Sequence, residues 1–300
     1  LVGSEMCIRD RYKKWYYIHS VKKYMGGMLM DNHNVLAECR LSLSDIDCSD
    51  FICNKGSLLQ GVLYEQLDSS YVEMLHEQGM KPYSQSILKE KGSIVWSVRT
   101  LSGDAYDKIM TVLTDDQFKK FTLKHDNAEI MIQKKEIVKT DVDDLFQKFY
   151  SEDSLRNFTI EFRSPTSFKK DGRYHFYPEI YNIYQSLMSR FDLVSSGRGM
   201  FSQDTLEQLT ANTEITGYNL KSVRYSLESV SIPAFVGRIY IHINGPQTMV
   251  NFARMLFEFG NYSGVGIKTA LGMGCLHIEE RRKKNNERSG SQADSGKSSS

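Results

Sequence analysis

Proline and cysteine are both scarce, at five residues each in 300. Cysteines this few, odd in number and without a CxxC pair, exclude the disulfide framework of a small secreted domain and the thiolate cage of a zinc ribbon. Cys7, Cys39, Cys48, Cys53 and Cys275 read as reduced thiols of a cytoplasmic protein. The seven histidines are scattered and none pairs with a cysteine at ligand spacing, so no metal site is expected. No apolar run approaches the ~18 residues of a membrane span. The N-terminal stretch lacks a continuous apolar core followed by a small-residue cleavage site, so no signal peptide is expected either. Charge of one sign is also lacking, with 38 Lys and Arg against 37 Asp and Glu and a net +1. A protein that coats nucleic acid nonspecifically would carry a large positive excess, so this balance leaves room for a local basic track alone. The Gly-x-Gly-x-x-Gly and Gly-x-x-x-x-Gly-Lys-Ser/Thr spacings are absent, which argues against a dinucleotide or nucleoside-triphosphate loop.

What the chain has is aromatic matter for sizeable cores, 17 Tyr and 15 Phe, and a length suited to two domains. Its ends differ from its body. Residues 1–24 and 281–300 are basic, the stretch between is acidic overall, and residues 157–278 are mildly positive. Residues 281–300 are rich in Ser, Asn and Lys with almost nothing apolar, which predicts a disordered tail. Residues 1–35 read as an N-terminal extension, artefactual in part. The opening LVGSEMCIRDR fits no element and resembles sequence found at the ends of contaminated gene assemblies; translation from Met28 or Met30 is an alternative.

Between the ends, one element order occurs twice. Leu36–Leu43 alternates as a strand, and Gly56–Leu67 and Ser70–Glu77 have helical spacing. Ser84–Leu88 and Ser93–Leu101 form a hairpin around Lys91-Gly92, Gly103–Leu113 is helical, and Phe121–Val138 is mostly strand. In the second half, Phe158–Arg163 is a strand, Pro178–Phe191 a helix with Pro in its first turn, and Tyr218–Leu227 and Phe235–Ile243 are strands. Pro246–Phe259 is a second helix, and Gly274–Ile278 closes the sheet. Each half reads β-α-β-β-α-β, which predicts an α+β protein of two tandem ferredoxin-like domains, over 36–140 and 157–280. Residues 141–156, with Asp141, Asp143, Asp144, Glu152 and Asp153, read as a solvated linker. Such a fold licenses no function by itself.

The densest signal is GVGIKTALGMG, Gly264 to Gly274. Its two Gly-x-Gly pairs can bring backbone close to another group, and successive N–H groups there can form an anion nest. Gly264, Gly266, Gly272 and Gly274 would then present N–H groups, with Lys268 neutralising a phosphate. A mononucleotide loop runs from strand to helix, whereas this one runs from helix to strand, so a polymer phosphate backbone fits better. The plainer reading is a glycine-rich turn that only packs closely.

Gly-hydrophobic-Gly, five residues including a Lys, then Gly-hydrophobic-Gly near the end of a chain resembles the signature of the CRISPR-associated repeat-processing endoribonucleases, a group within the RAMP superfamily of RNA-binding proteins. Gly264, Val265, Gly266, Lys268, Gly272, Met273 and Gly274 match it, and Tyr262-Ser263 before it is also typical. Ser164-Pro165-Thr166-Ser167-Phe168-Lys169 and Gly172-Arg173-Tyr174 resemble the opening of that family's second domain. Leu58-Leu59-Gln60-Gly61-Val62-Leu63-Tyr64 and Leu75-His76-Glu77 resemble its first helical region. The likeness spans about residues 36 to 280 and implies the same tandem fold.

The resemblance implies cleavage of CRISPR precursor RNA within its repeats, without metal or cofactor, by attack of a 2′-OH on the adjacent phosphate. Such a reaction needs a proton carrier and donors to the developing oxyanion. His76 is the candidate proton carrier, in the Leu-His-Glu context where the family has its catalytic histidine; the plainer reading is a surface histidine favoured by a helix C-terminus. Tyr64 stands where the family often has a catalytic tyrosine, against the plainer reading of a buried helix residue. Lys81 lies near the family's catalytic lysine, against an ordinary solvated one. Lys169, Lys170 and Arg173 are candidate phosphate contacts, against hairpin solubility. Tyr174, Phe176, Tyr177, Tyr181 and Tyr184 could stack bases, although packing explains them more simply. The implied partners are CRISPR repeat RNA and, left open, an effector complex; no membrane is implied, and monomer and homodimer both stay open. A noncatalytic RAMP-type subunit of an effector complex would share the fold and loop without needing His76 or Tyr64. A ligand- or protein-binding module with a purely structural loop is the remaining alternative.

Overall fold

The computed structural model describes residues 35–44, 55–123, 128–194, 202–227 and 230–281. The expectations for the N-terminal extension and the tail fall almost wholly outside them, as do Cys7, Cys48 and Cys53.

In the first half, β1 (Val35–Leu43) is followed by helices α1 (Gly56–Glu65) and α2 (Ser69–Glu77) and by the hairpin β2 (Tyr83–Glu90) and β3 (Ser93–Thr100). A helical run α3 over 103–114, with a π turn at Tyr106–Met110, leads to β4 (Lys120–Leu123) and β5 (Ala128–Asp141). The sheet order is β2-β3-β1-β5-β4. β1 pairs antiparallel with both β3 and β5, placing Leu41 opposite Trp96 on one side and Lys135 on the other. Phe121–Val138, expected as mostly strand, is thus split into a short edge strand and a long inner one. The core of this half gathers Leu41, Leu59, Leu63, Trp96, Val98 and Ile109, all fully buried.

The second half repeats the order. β6 (Asn157–Thr166), a small hairpin β7 (Phe168–Lys170) and β8 (Arg173–His175), then helices α5 (Ile180–Val194) and α6 (Gln203–Ala211) lead to the long strands β9 (Thr213–Leu227) and β10 (Val230–Ile243). Helix α7 (Gln247–Ser263) and β11 (Leu276–Glu280) complete it, and the sheet order is β11-β6-β10-β9. Counting β5 and β11 as last strands, both halves show fourth-first-third-second with antiparallel pairing, the tandem ferredoxin-like arrangement. Phe158, Ile160 and Phe162 alternate inward along β6 onto the apolar face of α7, where Phe257 and Phe259 are buried. Each such phenylalanine contributes roughly 1.5–3 kcal/mol by leaving water. Pro178 precedes its helix by two residues, and the Ile183 N–H bonds to the Glu179 carbonyl at 3.1 Å.

The acidic segment expected as a solvated linker is largely a helix, α4 (Val142–Ser151). Asp141 caps it, accepting from the Asp143 N–H at 2.9 Å, while Asp144 accepts from the Asp141 N–H at 3.2 Å. Its buried face is Val142, Leu145, Phe146 and Phe149. Arg254 of α7 grips its end, donating to the Lys148 carbonyl at 2.8 Å and pairing with Glu152 at 3.1 Å. Helix α6 was not expected either; Leu206 and Leu209 bury it. No helix among the described residues is long and apolar enough to cross a membrane.

Candidate active site

The glycine-rich loop leaves α7 at Ser263 and folds back over the junction of the two halves. The four glycine N–H groups expected to face a phosphate are turned inward. Gly264 donates to the Gly260 carbonyl at 2.9 Å, Gly272 to Thr269 at 3.4 Å and Gly274 to Pro165 at 3.0 Å. Gly266 donates to Ser186 Oγ at 2.8 Å. The open nest is therefore corrected to a closely packed turn, and the glycines serve proximity. At Gly274, with φ +71°, an added Cβ would lie 1.9 Å from the Val265 carbonyl oxygen; at Gly266, with φ +77°, it would lie 2.3 Å from that of Ser167. What the loop offers outward is Lys268, exposed at its tip in the left-handed region with φ 58°. Beneath it, Met273 joins a small cluster with Tyr225, Ile232 and Ala234. The Tyr225 hydroxyl donates to the Leu271 carbonyl.

Tyr64 and His76 come together beside this loop. Tyr64 lies near the end of α1 and His76 in the last turn of α2, and their rings meet edge-to-face with centroids 5.3 Å apart. His76 is exposed and Tyr64 half-buried. Burial raises the Tyr64 hydroxyl above its ordinary pKa, opposed by a hydrogen bond from Tyr83. That bond, Tyr83 Oη to Tyr64 Oη, is 3.3 Å, and Gln60 Nε2 donates to Tyr83 Oη at 2.7 Å. Burial pushes the Tyr83 hydroxyl well above its usual value, so it stays protonated. Gln60 also reaches the Ala270 carbonyl in the loop, at 3.4 Å. Gln85, fully enclosed, donates to the same carbonyl at 2.6 Å and to that of Gly56 at 3.1 Å, while Trp96 Nε1 donates to its oxygen at 2.8 Å.

Lys81 is not an ordinary solvated lysine. Its ammonium donates to the carbonyls of Leu75 and, at 2.5 Å, Gln78, closing the C-terminal end of the helix that carries His76. Partial burial, with the neighbouring charge of Lys268, holds it below the usual lysine value. The two lysines come from opposite halves of the molecule, and the charge of one acts on the other.

Lys169, Lys170 and Arg173 are exposed on the β7–β8 hairpin, which turns at Asp171-Gly172. The hairpin is anchored to the loop, because the Ser167 carbonyl accepts from the Ile267 N–H at 3.0 Å. Lys169 lies 5.9 Å over the Tyr174 ring and Lys170 5.8 Å over that of Tyr181. In the aromatic run Tyr184 is core, whereas Phe176 and Tyr177 are 43% and 54% exposed, open faces suited to stacking. Among the described residues, no group of three or more His, Cys, Asp or Glu could hold a metal ion.

Sequence reasoning missed Gln60, Tyr83, Gln85 and Tyr225. Gln60 alone left a signal, standing one helical turn before Tyr64. Nothing in the sequence marks Tyr83 or Tyr225, because which group a buried hydroxyl meets is a tertiary fact.

The profile described as CRISPR-associated endoribonuclease Cas6 matches residues 160–276, the stretch from β6 through the glycine-rich loop. A CRISPR-associated endoribonuclease Cas6 from Streptococcus thermophilus is 36% identical over 222 residues, covering 74% of this chain and 90% of that protein. One of the same name from Mycobacterium tuberculosis is 26% identical over 229 residues, covering 76% of this chain and 73% of that protein. A solved structure described as a Cas6 product complex superposes with a TM-score of 0.68 at 23% identity, over 82% of this chain and all of that one, and shows the shared fold. A relative alike over most of both chains, a profile match that includes the glycine-rich loop and a common tandem architecture agree, and the chain belongs to the CRISPR-associated endoribonuclease Cas6 family.

Proposed function

We propose that the chain cuts CRISPR precursor RNA within its repeats, as a metal-independent endoribonuclease that uses the RNA's own 2′-OH. The observation that carries this reading is the edge contact of Tyr64 and His76, 5.3 Å between ring centroids, on an open face beside the glycine-rich loop. The 2′-oxygen attacks the adjacent phosphorus and loses its proton; the bond to the 5′-oxygen breaks and that oxygen gains one. The products are a 2′,3′-cyclic phosphate and a 5′-hydroxyl. Histidine carries protons near neutral pH, and His76 fills that role. Tyr64, held neutral by burial, donates to the phosphate oxygens as negative charge builds on them. Lys81 holds the helix end that positions His76, and its charge adds to that of Lys268. Lys268, Lys169, Lys170 and Arg173 supply the local basic track that the near-zero net charge called for. Much of the acceleration comes from holding the strand bent at the scissile bond.

The test is a labelled repeat transcript beside one with a single 2′-deoxy substitution at the cut site, each with EDTA. The all-ribose transcript is expected to be cut once and the deoxy transcript to stay whole. Rapid cutting of the deoxy transcript overturns the mechanism; binding without any cutting returns the chain to the noncatalytic subunit.

A further inference from the structure

The hydrogen bonds between the loop and Tyr64 have a direction that can be deduced. The Ala270 carbonyl can only accept. Gln60 Nε2 faces it at 3.4 Å, beside Gln85 Nε2 at 2.6 Å. With the Gln60 amide flipped, its oxygen would oppose another acceptor, so the NH2 end belongs on that side. The same Nε2 is 2.7 Å from Tyr83 Oη. The Tyr83 oxygen therefore accepts from Gln60. Its single proton goes to the oxygen of Tyr64, 3.3 Å away. Tyr83 has no exposed surface on which that proton could find water instead. Tyr64 is an acceptor toward the protein, and its own O–H has no acceptor inside the relay. The hydroxyl belongs to a half-buried ring whose edge neighbour is exposed His76, which leaves its proton for an acceptor outside the relay.

We propose that Gln60 and Tyr83 are positioning residues that fix the direction of the Tyr64 O–H, making Tyr64 a hydrogen-bond donor to the scissile phosphate whose aim is held by the Ala270 carbonyl. This rests on the cleavage reading above and refines it, since it gives neutral Tyr64 the part of a directed donor to the phosphate. Ala270 lies in the short turn Thr269–Leu271, immediately after Lys268. The charge that meets the RNA backbone and the carbonyl that sets the donor belong to one segment of chain.

Gln60→Glu tests the direction. A carboxylate accepts where the amide donates, so Tyr83 donates to it, Tyr64 donates to Tyr83, and the relay runs backward. Single-turnover cleavage of repeat RNA is expected to fall roughly 10²-fold, as for loss of one oxyanion donor, and about as far as with Tyr64→Phe. Affinity for the uncut 2′-deoxy repeat stays at the wild-type level. In a Tyr64→Phe background, Gln60→Glu costs nothing more, because the hydroxyl it would misdirect is gone. Tyr83→Phe, which introduces no charge, shows the same non-additivity and carries the test if Gln60→Glu does not fold. Equal losses in both backgrounds overturn the relay and leave the cleavage reading standing. Failure of the wild type to cut overturns that reading, and the relay's role with it.

Discussion

His76 is exposed in the last turn of α2, and by its own surroundings it could be any surface histidine at a helix end. What distinguishes it is the company: the Tyr64 ring edge-on, and Lys81 closing the carbonyls of its helix. In the role proposed for it, replacing it with Ala removes the proton carrier and leaves the fold's buried contacts untouched. Single-turnover cleavage is expected to fall about 10²–10⁴-fold, with RNA affinity and thermal midpoint unchanged. A variant that cuts normally but binds weakly would make His76 a contact residue. At this scale the family likeness named His76, Tyr64 and Lys81 as candidates, and the contacts among them and with their neighbours were not legible beforehand. Tyr83 stands just before the strand expected at Ser84–Leu88, with nothing in the sequence to mark it, and only its hydrogen bond to Tyr64 gives its hydroxyl a task.

The glycine-rich loop was legible as a unit and misread in its chemistry. Four glycines at that spacing suit an anion nest and a tight turn equally well, because both need positive φ. The N–H groups resolve the choice, since every one of the four has an acceptor within the protein. The loop's glycines therefore differ in how much they bear. A Cβ at Gly274 meets the Val265 carbonyl oxygen at 1.9 Å, whereas at Gly272 the nearest atom is Tyr225 Oη at an ordinary 3.5 Å. Gly272→Ala is expected to cost about 1–2 kcal/mol for its left-handed conformation alone. Gly274→Ala adds a backbone collision and should cost clearly more in chemical unfolding, with weaker binding of repeat RNA. Equal costs would mean that the loop yields at both places. Helix α4 teaches a related lesson. Its acidic residues suggested solvent, yet Val142, Leu145, Phe146 and Phe149 sit at helical spacing and supply a buried face.

The two halves are joined by polar contacts that also build the site. Gln85 of the first half holds the loop of the second, Ser84 Oγ donates to the Tyr262 carbonyl at 2.6 Å, and Arg163 of β6 pairs with Glu90 of β2 at 2.7 Å. Arg40 also grips Glu90. Burial alone would raise the Glu90 carboxyl, but hydrogen bonds from Arg40 and Arg163, with their charges, outweigh it and hold it below the usual value. A depressed folded pKa contributes stability above the unfolded value, about 4.3 for Glu, and that stability is lost as pH falls through the folded value. The wild-type melting temperature is therefore expected to fall more steeply than that of Glu90→Gln as pH is lowered from about 5 to 3, with Glu90→Gln the less stable of the two at neutral pH. Parallel curves would show that the clasp adds nothing to the junction.

The sequence by itself determined the repeated β-α-β-β-α-β order, the inward alternation of Phe158, Ile160 and Phe162, and the place of the glycine-rich turn. Periodicity and glycine spacing are local properties, and local chain geometry is enough to express them. Only the tertiary structure decided what the loop's N–H groups bond to, that the charge of Lys268 acts on Lys81, and that Gln60, Tyr83 and Ala270 form one relay to Tyr64. Several of those facts depend on groups far apart in sequence, such as Gln60 and Ala270, whose meeting is set by the packing of the two halves and by nothing adjacent in the chain.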